Sequence, residues 1–146
     1  MVYIETIEGT MKLLIAAMLF QMGWTLVVLV MTGRARVAAL KAREVTLKQV
    51  ALSNDAWPDR IKALSNNYAN QFETPVLFYA ACLLALHLGA TGWEMSALAW
   101  LFVATRIAHT LVHTGGNNVI LRFRIFVAGV GVLVAMLVGI ALVALA

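Results

Sequence analysis

Asn66-Asn-Tyr-Ala-Asn70-Gln-Phe-Glu73-Thr-Pro75 opens an apolar segment with that segment's only acid, and how the acid is accommodated decides what kind of molecule this is. On a continuous helix Asn66, Asn70 and Glu73 fall at i, i+4 and i+7, so three polar side chains share one face. Pro75 adds an acceptor to the same neighbourhood. Lacking an N–H, it frees the carbonyl of Gln71 one turn back. Ionisable groups inside membrane segments are costly and usually functional, which makes Glu73 a candidate site residue. The alternative is that Glu73 sits at headgroup level and anchors the helix end.

The residues around this stretch are built for lipid. Of 146 residues 62% are hydrophobic and 12% charged, with a mean hydropathy of +0.88, outside the balance of a soluble domain. Residues 13–31 carry no charge, and 19 helical residues span roughly 28 Å, close to the hydrocarbon thickness. Four such spans are predicted, at about 12–33, 66–88, 94–114 and 120–145, in a single membrane domain over 1–146. The fold class is an all-α integral membrane protein, a four-transmembrane-helix bundle. Cys82 lies within an apolar run and reads as inert packing.

Charge sets the topology. A net charge of +4 and a pI near 9.6 would suit nucleic acid, but no soluble part displays the basic residues, so no nucleic-acid partner is expected. They cluster beside the spans: seven in the loop 34–62, then Arg122 and Arg124, against Lys12 alone on the opposite side. That asymmetry puts the loop in the cytoplasm and both termini in the periplasm or lumen. Glu5 and Glu8, with no early basic residue, argue against a removable signal peptide. In the loop, Val37, Leu40, Leu47 and Ala51 keep a helical spacing, so the first helix is expected to run on until Ser53-Asn54-Asp55 breaks it, leaving a mobile tip. Pro58 and Asp59 suit the first turn of the next helix. Gly89–Gly92 is a tight turn beside Trp93, a residue type that settles at the interface. Gly131, Ala135 and Gly139, four apart, form a ridge suited to close helix contact, within the protomer or between subunits.

The third span carries a second polar stripe: Arg106, His109 and His113 at i, i+3 and i+7. Glu73 lies about 12 Å above the start of span two, and Arg106 is as far from the end of span three, so both reach one level and an Arg–carboxylate pair is expected. Asn66, Asn70, His109 and His113 surround that pair, with Arg36 and Arg122 entering from the inner ends of spans one and four. One Glu then faces three Arg. The surplus calls for an anionic ligand bearing carboxylates or a thiolate. A metal site is not expected, because the histidines lack further carboxylate or thiolate ligands.

These residues, in order, carry a resemblance: Thr32-Gly-x-x-Arg36 after span one, Asn70-Gln-Phe-Glu73 with Pro75 and an aromatic run, Arg106-Ile-Ala-His109, and Arg122 sixteen residues after Arg106. The chain resembles a bacterial-type member of the MAPEG family, the membrane-associated proteins in eicosanoid and glutathione metabolism. The resemblance covers nearly the whole chain. It implies a homotrimer with glutathione as co-substrate, bound between neighbouring subunits near the cytoplasmic side, and a small hydrophobic electrophile entering from the lipid bilayer. Residue by residue, Arg36, Asn70, Glu73, Arg106 and His109 match positions that hold glutathione or support its pocket, with His113 one turn on. Arg122 matches the catalytic arginine that stabilises the thiolate.

The sequence departs from the family pattern in three places. Asn66 stands where an arginine is common, His113 where a tyrosine is frequent, and Phe123 and Phe126 where some members carry hydroxyls. The implied activity is a glutathione transferase or peroxidase. The competing reading is a non-catalytic scaffold, accessory subunit, or lipid- or small-anion-binding protein with the same fold.

Overall fold

The computed structural model describes residues 2–146, with side chains from Glu8 onward, so the side chain of Glu5 lies outside the described residues. Its helices are α1 (Val2–Lys41), α2 (Leu47–Val50), α3 (Asp59–Ala69), α4 (Thr74–Leu88), α5 (Trp93–Thr114) and α6 (Val119–Ala144). Four stretches are long and apolar enough to cross a membrane: α1, α3 with α4, α5, and α6. The chain is an all-helical integral membrane protein.

The second span is not one helix. After Ala69 the chain tightens into a 3-10 turn over Asn70–Phe72 and steps at Glu73, whose φ of −100° and ψ of −106° are not helical. Pro75 is the cause: it has no N–H for the Gln71 carbonyl, and its ring would collide with that carbonyl in a regular helix. The step overturns the expected polar face. Asn66 and Glu73 are exposed and Asn70 half-buried, while Asn67 and Gln71, also four apart, turn inward and are almost completely buried.

The core lies between the spans. Leu14, Ala17, Phe78, Cys82, Ala85, Ala99, Phe102, Leu133 and Met136 are buried there, with Phe78 and Phe102 stacked at 4.6 Å between centroids. The contact between α5 and α6 is the most extensive in the bundle, and Gly129 permits it. A Cβ at Gly129 would lie 2.8 Å from Thr105 Oγ1, closer than a side chain tolerates. By contrast Gly131 and Ala135 are exposed, so most of the predicted ridge faces away from the protomer's core.

Helix α1 ends at Lys41, well before Ser53. Arg43 adopts φ +57°, its N–H donates to the Leu40 carbonyl (3.1 Å), and the Glu44 N–H donates to the Ala39 carbonyl (3.0 Å), which closes the helix with a left-handed residue. At the base of the loop that follows, Ala39, Val45, Trp57 and Ile61 form a small core, while residues 51–56 at its tip are exposed. Arg60 Nη2 bridges both oxygens of Glu44 at 2.6 and 2.8 Å, and that hydrogen-bonded partner holds the Glu44 carboxyl below the usual carboxylate range.

Candidate functional site

Helix α5 buries its polar stripe. Arg106, His109 and His113 are each less than 5% exposed, because the 3- and 4-residue spacing directs all three toward the bundle while the lipid-facing positions remain apolar. The two imidazoles meet edge to face at 5.5 Å. Arg106 Nη1 donates to Thr74 Oγ1 at 2.8 Å, and its guanidinium lies 5.8 Å from the ring centres of both Phe102 and Phe126. Its Nε and Nη2 are buried without a partner.

The expected ion pair between Arg106 and Glu73 is absent. Glu73 is exposed, and no ion pair among the described residues includes it. The depth argument is right to within one residue, since Arg106 reaches the neighbouring Thr74. The side chain is wrong because the step at Glu73 takes its carboxylate off the inner face and leaves the threonine hydroxyl opposite the guanidinium. Arg106 is therefore a buried cation with no carboxylate in ion-pair contact among the described residues, and Glu73 acts on it only from a longer range.

Beside this stripe a cleft of about 220 Å³ is lined by Asn70, His109, Val119, Arg122, Phe123 and Phe126. Three predicted site residues, Asn70, His109 and Arg122, thus come together, from the 3-10 turn, α5 and the first turns of α6. Asn118 starts α6 by accepting the Leu121 N–H at 3.0 Å. Arg122 Nη1 donates to Asn117 Oδ1 at 2.9 Å, which ties the guanidinium to the preceding turn. Phe126 forms a wall of the cleft and also lies over Arg106. The sequence marked Phe123 and Phe126 only as missing hydroxyls; here they supply the apolar frame.

Arg36 is held elsewhere. Its Nη2 donates to Ser65 Oγ (2.9 Å) and Asn54 Oδ1 (3.1 Å), and its guanidinium packs 5.5 Å from the Trp57 ring. Within one protomer Arg36 belongs to the loop.

A polar ladder in the bundle was not singled out from the sequence. Gln21 Nε2 donates to Gln71 Oε1 (3.2 Å), Gln71 Nε2 to the Asn67 carbonyl (3.2 Å), Asn67 and Thr110 exchange contacts at 3.3 Å, and Trp24 Nε1 donates to Thr110 Oγ1 (3.3 Å). This ladder joins α1, α3 and α5 directly behind the stripe. For Gln21 an interhelical hydrogen bond is the role its type suggests. Asn67 and Gln71 had the same spacing as Asn66 and Asn70, and periodicity alone does not choose between two adjacent polar rows.

Comparison with known proteins gives a family. The model of the MAPEG family matches residues 14–142, nearly the whole chain. No curated protein and no solved structure matches. Four spans, a buried stripe of Arg106, His109 and His113, and a family match over nearly the whole chain lead to one conclusion: the chain belongs to the MAPEG family, which holds glutathione transferases and peroxidases as well as non-catalytic members.

Proposed function

We propose that the protein is a glutathione-dependent membrane enzyme of transferase or peroxidase type, working as a homotrimer in a bacterial inner membrane with both termini periplasmic. The observation that carries this reading is a cationic site with no carboxylate in contact: Arg122 in the cleft beside the His109 imidazole, and behind Phe126 the buried Arg106 with two unpartnered nitrogens. Glutathione fits that chemistry. It brings two carboxylates for guanidinium forks and a thiol for the remaining arginine. The cleft of about 220 Å³ is smaller than the roughly 300–1,000 Å³ of ordinary ligand pockets, so one protomer supplies only part of the site. A neighbouring copy, contributing Arg36, completes it.

In this mechanism Asn70 and Arg106 fix the peptide, and Arg122 lies beside the sulfur. A free thiol titrates near 8.5, and a guanidinium at contact lowers that value and raises the thiolate fraction at neutral pH. The thiolate then attacks the electrophile. In a transfer, the sulfur–carbon bond forms as the leaving group departs with its electron pair; in a peroxide reduction, sulfur takes one oxygen and the other leaves as alkoxide. Phe123 and Phe126 keep the approach apolar, which suits a second substrate drawn from the bilayer.

Calorimetry with glutathione on the detergent-solubilised protein tests the reading. Binding is expected, weakened by Asn70→Ala and Arg106→Gln and largely retained in Arg122→Ala. Absence of binding to the wild type overturns it and favours a non-catalytic member. The hold of Ser65, Asn54 and Trp57 on Arg36, which keeps its Nη2 within the protomer, is the observation that supports that second reading.

A further inference from the structure

The loop between α1 and α3 does not project freely into water. Arg36 lies three residues beyond the first span, about 4.5 Å along the helix axis. On a helix its side chain leans back toward the N-terminus, here toward the membrane. Its Nη2 reaches Ser65, and the charge pattern of the sequence ends the first span at about 33 and starts the second at about 66, so this guanidinium lies at the expected level of the membrane boundary. Asn54 Oδ1 binds the same nitrogen. The middle of the loop has therefore folded back down to the bilayer boundary. Leu52, two residues away, lies within about 7 Å of Asn54. The headgroup layer is itself about 5–7 Å thick on each face.

Leu52 is fully exposed, with the loop's small core around Trp57 packed without it. The adjoining charges match a lipid surface. Arg34, Arg43 and Lys48 are exposed, and their side chains have no hydrogen-bond or ion-pair partner among the described residues. Asp55, the acid nearest the tip, accepts a hydrogen bond from Ser53 Oγ at 2.6 Å.

We propose that this loop tip is seated in the bilayer: Leu52 inserts among the headgroups at the acyl boundary of the leaflet on the loop's side, with Arg34 and Lys48 on lipid phosphates. Isolated interfacial leucines gain by leaving water, and unpaired juxtamembrane cations are drawn to anionic lipid. The seat is independent of glutathione. It follows from where the spans end and from the bond between Asn54 and Arg36.

Spin labels in nanodiscs containing anionic lipid test it. Leu52→Cys and, as a control about 7.5 Å farther along α1, Lys41→Cys are labelled in a Cys82→Ala background; Cys82 is fully buried and can be kept should that change harm folding. The label at 52 is expected to relax with lipid-dissolved oxygen far more than with a water-soluble nickel chelate, and the label at 41 the reverse. Relaxation of the label at 52 mainly by the chelate places the tip in water and overturns the proposal. Protection from both reagents overturns it too, because a second copy of the chain then covers the tip.

Discussion

Arg106 is buried with one hydrogen bond, to Thr74, and two unpartnered nitrogens, so its local environment is incomplete without a further acceptor. Removing groups that meet is non-additive, whereas removing groups that do not meet is additive. Arg106→Leu combined with Thr74→Val should show a coupling of about 0.5–3 kcal/mol in unfolding from detergent. The same cycle with Glu73→Gln should show much less, and an equal coupling would restore the ion pair that the geometry denies. The presence of a cationic stripe was legible in the sequence, because Arg106, His109 and His113 could hardly face lipid together. The partner of Arg106 was not, since a shift of one residue at Glu73 exchanges a carboxylate for a hydroxyl.

At the scale of elements, the interrupted second span separates two adjacent asparagines into different roles. Asn67 is fully buried on the ladder with Thr110, and Asn66 is exposed. Asn67→Ala should cost about 1–2 kcal/mol of stability, the range for a buried hydrogen bond whose partner is left unsatisfied. Asn66→Ala should stay within about 0.5 kcal/mol. Thermal unfolding of the pair checks this, and equal losses would mean an unbroken helix. Pro75 was visible in the sequence as a disturbance; which side chains the resulting step sends inward depends on tertiary packing. The loop offers a second test. Because Arg60 depresses the Glu44 carboxyl, their pairing contributes fully above the ordinary carboxylate range and is lost as pH falls through the depressed value. The fluorescence difference between wild type and Trp57→Phe should change over that acid interval and become independent of pH in Glu44→Gln.

The whole molecule exposes Gly131 and Ala135 along α6 and leaves a cationic cleft smaller than its proposed ligand needs. Mass measurement in mild detergent should therefore find three copies, and a monomer alone would remove the intersubunit site. The four-helix class was legible from hydropathy and charge, because lipid leaves a chain few ways to satisfy its backbone. The arrangement of Arg36 was not, since its bonds to Ser65 and Asn54 and its packing on Trp57 join residues far apart in sequence. Asn70 and Arg106 would hold glutathione in either protonation state, whereas Arg122 interacts with the charge that appears on the thiol, and Phe123 and Phe126 offer no hydroxyl to share that task. Ultraviolet difference absorbance of the glutathione complex at neutral pH measures it: a thiolate band in the wild type that disappears in Arg122→Ala while binding persists is the predicted result, and bound glutathione with no thiolate band, or a band unchanged by Arg122→Ala, would contradict it.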